Sequence, residues 1–168
     1  MPTTLIIMRH GEAEDAKGTE PDADLMRMLT EKGKKTQTRM AEFFEKKGWR
    51  VLGIFTSPAA RARQSGLQIS DHFRAPTDWD LCLLNPIAEV RLLQKLPDPN
   101  DNVCYVVIGH DPSITLFANR MCGEEVVHGG MEKSAAVVLE VTENAVGTAK
   151  FIGYFTPRDA EKELGASS

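Results

Sequence analysis

Cysteine is scarce in this chain. Cys82, Cys104 and Cys122 are the only three in 168 residues, and their wide spacing matches neither a disulfide framework nor a zinc motif. Cys104 lies inside an apolar run and reads as a buried thiol. No stretch approaches the roughly 20 apolar residues that a membrane-crossing helix needs, and no basic leader followed by an apolar core opens the chain. Together these absences lead us to expect a protein of the reducing cytoplasm with no membrane association. Blocks of lysine or arginine are also lacking and the net charge is −4, so no nucleic-acid partner is expected. The densest basic stretch, Lys32, Lys34, Lys35 and Arg39, is interrupted by Glu31 and Gln37 and reads as a solvated helix face. A mildly acidic surface still leaves room for a concentrated positive pocket. There is no internal repeat and no low-complexity linker. With 42% hydrophobic and 26% charged residues, the expectation is one globular domain over residues 1–168.

What is present is an alternation of strand and helix patterns. Strand-like apolar runs occur at Thr4 to Met8, Val51 to Thr56 and Val103 to Ile108. Ser57 before Pro58 has the chemistry of an N-cap with proline at the first helical position, and Asp111 before Pro112 repeats it. These predict helices running to about Phe73 and about Cys122. Thr30 reads as the N-cap of a helix to about Lys47, closed by Gly48, with Met40, Phe43 and Phe44 on its apolar face. Pro86 reads as opening a helix through Leu96, with Ile87, Val90, Leu93 and Leu96 as its apolar face. Ser134 to Val141 and Ala149 to Phe155 read as a hairpin turned at Asn144 to Gly147, and a short helix follows Pro157. The fold class predicted is a three-layer α/β/α sandwich with a mostly parallel sheet and an antiparallel edge.

Open α/β sheets bind ligands beyond the carboxyl ends of their strands. The first strand ends on Arg9, His10 and Gly11. The second delivers Ser57, Pro58 and, one helical turn on, Arg61. The third delivers Gly109 and His110. A parallel sheet gathers these ends on one rim, beside helix N-termini that favour anions. Neutral imidazole is a nucleophile, and arginine forks match phosphate oxygens. Gly11, without a Cβ, lets the backbone turn tightly and approach a phosphate. A metal at His10, His110 and Glu12 is opposed by the two nearby arginines.

The stretches LIIMRHGEAE, LTEKGKKTQTRMAEFF, IFTSPAARARQS and VVIGHDPSI, from Leu5 to Ile114, resemble the histidine phosphatase superfamily, with its phosphoglycerate-mutase-like fold. Within it they are most similar to the SixA-type phosphohistidine phosphatases. The last third of the chain resembles the family only in hydrophobic pattern. The resemblance implies that His10 is the nucleophile that takes up the phosphoryl group. Arg9 and Arg61 would clamp its oxygens, and His110 would donate a hydrogen bond to it. No metal or other cofactor is implied, since guanidinium groups supply the positioning and charge that phosphoryl transfer needs. The bound species would be a small phosphate or other anion.

Larger members of the superfamily carry an insertion that contributes a general acid. Here only about thirty residues separate Phe73 from Val103, which leaves little for a lid. Glu89 is the candidate acid; its alternative is an exposed residue of a first helical turn. Asp80, Glu12 and Glu14 are weaker candidates. A phosphoimidazole leaves without a dedicated acid when its far nitrogen is already protonated, whereas an alkoxide does not. A short rim also admits a side chain standing on a protein surface. Both points favour phosphohistidine on a partner protein. The alternatives are small-molecule phosphate esters and, more remotely, a non-catalytic phosphate-binding module; a mutase is disfavoured by the missing lid. Arg63, His72 and His128 read as surface or structural residues, Ser57 as a cap, and Lys133 and Ser134 as residues that reach the phosphate if their strand ends at the rim.

Overall fold

A computed structural model describes residues 2–100 and 103–165. Its elements are strands β1 (Thr3–Arg9), β2 (Val51–Thr56), β3 (Thr77–Trp79), β4 (Cys104–Gly109), β5 (Ala136–Val141) and β6 (Lys150–Phe155), and helices α1 (Glu31–Lys46), α2 (Ala60–Phe73), α3 (Glu89–Lys95), α4 (Ser113–Cys122) and α5 (Pro157–Gly165). The strands form one sheet in the order β3-β2-β4-β1-β5-β6. β3, β2, β4 and β1 run parallel, and β5 is antiparallel to both β1 and β6. The expected antiparallel edge is therefore the β5–β6 hairpin. No helix of the described residues is long and apolar enough to cross a membrane.

β1 lies inside the sheet, so both of its faces are covered, and it reads as a continuous apolar run for that reason. Ile6 and Met8 point to a core shared with Met40, Phe44, Ile69 and Ala160 of α1, α2 and α5. Leu5 and Ile7 point the other way, to Leu92 of α3 and Ile114, Phe117 and Met121 of α4. The period-two alternation of one strand thus builds both outer layers. Each of the leucine, isoleucine, methionine and phenylalanine side chains among them, when fully buried, contributes about 1.5–3 kcal/mol.

Several boundaries depart from the sequence-based expectation. Thr30 does cap α1, its side chain accepting from the Gly33 N–H. Ser57 and Asp111, however, are not N-caps. α2 begins at Ala60 and α4 at Ser113, capped by Ala59 and Pro112 without side-chain bonds. The reason is that both polar side chains are used elsewhere. Ser57 bonds to His110, and Asp111 accepts from Thr115 Oγ1 and the Met131 N–H. The helix expected from Pro86 starts at Glu89; Ile87, Leu93 and Leu96 pack on the core as expected, but Val90 is 71% exposed and Leu92 is the fully buried residue in its place. β3 was not expected, because its three residues, Thr77, Asp78 and Trp79, carry no apolar pattern.

Candidate active site

Three strand ends meet at one rim. Arg9 lies opposite Gly109 and Thr56 opposite Ile108. The level is kept past the strands, where His10 N donates to Gly109 O and Ser57 N to Ile108 O. The side chains of Arg9, His10, Arg61 and His110 therefore converge on one open pocket of about 530 Å3, shared with Asp24, Arg27, Asn85, Asp111 and Lys133. All four residues read from the sequence as the phosphate machinery are brought together. His10, Arg61 and His110 are only 6%, 7% and 7% exposed.

His10 is held by its own neighbour. Its Nδ1 donates to Gly11 O at 2.8 Å, which leaves Nε2 unprotonated in the neutral ring and facing Arg61 Nε, 3.3 Å away. Burial, assisted by the charges of Arg61, His110 and Arg9, lowers its pKa to about 3 against the backbone bond to Gly11. The ring is therefore neutral at physiological pH, the form a nucleophile requires. Burial and Arg61 likewise lower His110 to about 4. The two rings stand 5.3 Å apart between centroids.

Gly11 acts differently from the expectation. Its N–H is committed to Ser65 Oγ at 2.9 Å and its carbonyl to His10, so it orients the His10 ring and does not offer its amide to a phosphate. A Cβ there would lie 3.1 Å from Ser134 Oγ and 3.3 Å from the Gly33 carbonyl. Ser134 itself sits in the left-handed region (φ 63), with its N–H shared between the carbonyls of Arg9 and His10. It ties down the strand end through its backbone and does not line the pocket.

Arg9 Nη1 donates to Met131 O at 2.9 Å, while its buried Nε has no hydrogen-bond partner. Buried donors are nearly always satisfied, so an orphan in a polar pocket marks a place for an acceptor. Arg61 is engaged by a segment the sequence reading missed, a short 3-10 helix at Asp24–Met26. Its Nη1 donates to Asp24 O at 2.8 Å and its Nη2 to Asp24 Oδ2 at 3.2 Å. Burial holds Arg61 below the usual arginine range, and Asp24 offsets part of this. Arg27 adds a third guanidinium at the rim, bonded to Asp24 Oδ1 and Glu14 O. The one signal available for this pair was an Asp and an Arg three apart just before Leu29 and Thr30, inside an otherwise patternless acidic stretch.

Glu89 is not at the site. It opens α3 and pairs with Arg120 at 2.7 and 3.0 Å on the surface, the bland alternative that its first-turn position allowed. The weaker acids are accounted for as well. Glu12 accepts from Thr30 Oγ1, Asp80 from the Cys82 N–H, and Glu14 pairs with Lys17. Lys133 lines the pocket, whereas Arg63 lies over Trp79 and His128 pairs with Glu125 on the surface. Among the described residues no group of three or more His, Cys, Asp or Glu is arranged to hold a metal ion.

The family model of the histidine phosphatase superfamily (branch 1) matches residues 5–83, the stretch that carries Arg9, His10 and Arg61. A comparison with curated protein sequences finds no match. Among solved structures, one assigned as the phosphohistidine phosphatase SixA of Agrobacterium tumefaciens superimposes with a TM-score of 0.75 at 23% identity, over 94% of this chain and 99% of that one. The protein histidine phosphatase SixA complexed with tungstate gives 0.74 at 21% identity, over 93% and 98%. A mycobacterial glucosyl-3-phosphoglycerate phosphatase gives 0.67 at 14% identity, over 90% and 97%. The chain thus carries the histidine phosphatase superfamily signature across its first half, and over nearly its whole length it has the phosphoglycerate-mutase-like fold of the SixA structures.

Proposed function

We propose that this protein is a metal-independent phosphatase that works through a phosphohistidine at His10 and takes phosphohistidine on a partner protein as its substrate. The observation that carries the reading is the state of His10. It is neutral, with Nδ1–H pinned to Gly11 O and Nε2 turned toward Arg61. In the first step the Nε2 lone pair forms a bond to phosphorus as the P–N bond of the substrate breaks, and the substrate imidazole leaves neutral on its already protonated far nitrogen. In the second, water attacks phosphorus, the bond to His10 breaks, and inorganic phosphate leaves. Arg9 and Arg61 hold the equatorial oxygens, supplying charge stabilisation from fixed guanidinium groups.

The substrate class rests on the carboxylates of the pocket. Asp24 and Asp111 are the two that line it among the described residues. Desolvation raises the Asp24 carboxyl, but Arg27 and Arg61 together outweigh it and hold it below the usual carboxylate range, which is the wrong direction for a general acid. Asp111 is occupied by Thr115 and the Met131 amide. A leaving group that departs without enzymatic protonation suits this site better than an alkoxide.

Incubation with a labelled phosphodonor followed by quenching tests the chemistry. Wild type is expected to carry an acid-labile, alkali-stable label that His10→Ala lacks; no label together with no turnover overturns the catalytic reading. Competition between a phosphohistidine protein and a panel of metabolite phosphates tests the substrate. A higher kcat/KM on the metabolites overturns that part.

A further inference from the structure

The two nitrogens of His110 meet partners that dictate opposite roles. Arg61 Nη2 approaches Nδ1 at 3.3 Å, and a guanidinium nitrogen only donates, so Nδ1 is the unprotonated one. Nε2 therefore carries the hydrogen of the neutral ring and donates it to Ser57 Oγ at 2.7 Å. Ser57 is fully buried, and its oxygen also accepts from the Ala59 N–H, so the acceptor is itself fixed.

The arrangement leaves a lone pair of His110 facing the pocket. A lone pair repels a phosphoryl oxygen, and the guanidinium that satisfies it is one that an oxyanion would engage. Resting on the phosphatase reading above, we propose that Ser57 is a positioning residue: by accepting Nε2–H it turns Nδ1 of His110 to the pocket, and binding of a phosphoryl oxyanion adds one proton at Nδ1, making the ring a cationic donor. The proton comes from the medium, the Nε2–H stays on Ser57, and His110 makes no bond to phosphorus.

The charged and titratable groups around the ring support the direction. Burial, Arg61 and Arg9 oppose its protonation and Asp24 favours it. His10 stands neutral beside it, and the carboxylate of Asp111 is turned to Thr115 and the Met131 amide. A bound dianion sets two negative charges within hydrogen-bonding reach of a ring that is itself buried, which reverses the balance.

Nitrogen-15 NMR of histidine-labelled wild type, free and saturated with tungstate at neutral pH, reads this directly and requires no variant. The expected result is an Nε2–H tautomer of His110 in the free protein and both nitrogens protonated with tungstate. Calorimetry in buffers of different ionisation enthalpy should then show uptake of about one proton on binding. Ser57→Ala is expected to lower kcat about tenfold, the rate equivalent of one buried hydrogen bond, and to reduce the proton uptake by more than half. An Nδ1–H tautomer in the free protein, a neutral His110 in the tungstate complex, or a Ser57→Ala variant with wild-type kcat and full proton uptake overturns the proposal. Absence of turnover in wild type overturns the phosphatase reading alone, since the NMR and calorimetric results stand apart from activity.

Discussion

Burial of His10 and His110 in their neutral forms ties the stability of the fold to pH. Their folded pKa values, about 3 and about 4, lie below the ordinary 6.5. As pH falls below 6.5 the unfolded chain takes up protons at these positions and the folded chain does not. The stability they permit is present above the unfolded pKa and lost as pH falls toward the folded values. Urea unfolding of wild type should therefore weaken from pH 6.5 down toward 4, and a His10→Gln/His110→Gln double variant should show a flatter slope over that window. Equal slopes would mean that the two rings titrate normally. Glu89 belongs to the same scale of argument. Its pair with Arg120 is an exposed one, of little consequence in water, so Glu89→Ala should leave stability close to that of wild type and kcat/KM unchanged. A drop of tenfold or more would return it to the candidate acids.

At the scale of elements, the turn from β1 into α1 shows how backbone approach sets the site. Gly33 lies in the first turn of α1, and a Cβ added there would lie 2.3 Å from the Glu12 carbonyl. Thr30 joins the same two segments, donating to Glu12 Oε2 while it caps Gly33 N. Alanine for glycine inside a helix ordinarily gains about 1 kcal/mol. Here the clash is with backbone, so Gly33→Ala should instead lose about 1–3 kcal/mol, measured by chemical denaturation, and slow turnover by displacing the segment that carries Gly11 and His10. A stabilised variant would show that the contact relaxes freely. Thr30 and Gly33 were legible in the sequence as cap and helix because their signals are local. Ser57 and Asp111 carried the same local signal and misled, since tertiary partners, His110 for one and Thr115 with Met131 for the other, claimed their oxygens. Asp24 and Arg27 had no periodic pattern to announce them. Their placement depends on Arg61, 37 positions from Asp24, a contact that no local reading reaches.

For the whole molecule, the sheet order explains why the candidate site was readable at all. β1, β2 and β4 are parallel neighbours, so residues that follow their last apolar position land on one rim whatever the intervening loops do. Arg9, His10 and His110 follow from that rule directly, and Arg61 follows from the first turn of the next helix. The same topology concentrates cationic groups with few counter-charges. Arg9 keeps an unpartnered buried Nε, and Arg61 holds its fork on a mostly solvent-exposed Asp24. An oxyanion that engages both arginines and His110 therefore links three strand ends in the folded state and has no equivalent site in the unfolded chain. Ligand at 100 times its Kd then adds about 2.7 kcal/mol, which for a domain of this size raises the midpoint of thermal unfolding by about 5–10 °C. Tungstate should produce this shift in wild type, and Arg61→Ala should abolish most of it. Arg39→Ala, which removes a surface arginine bonded to Glu42 and Glu161, should keep it. A shift that survives Arg61→Ala would place the anion somewhere other than the rim of β1, β2 and β4.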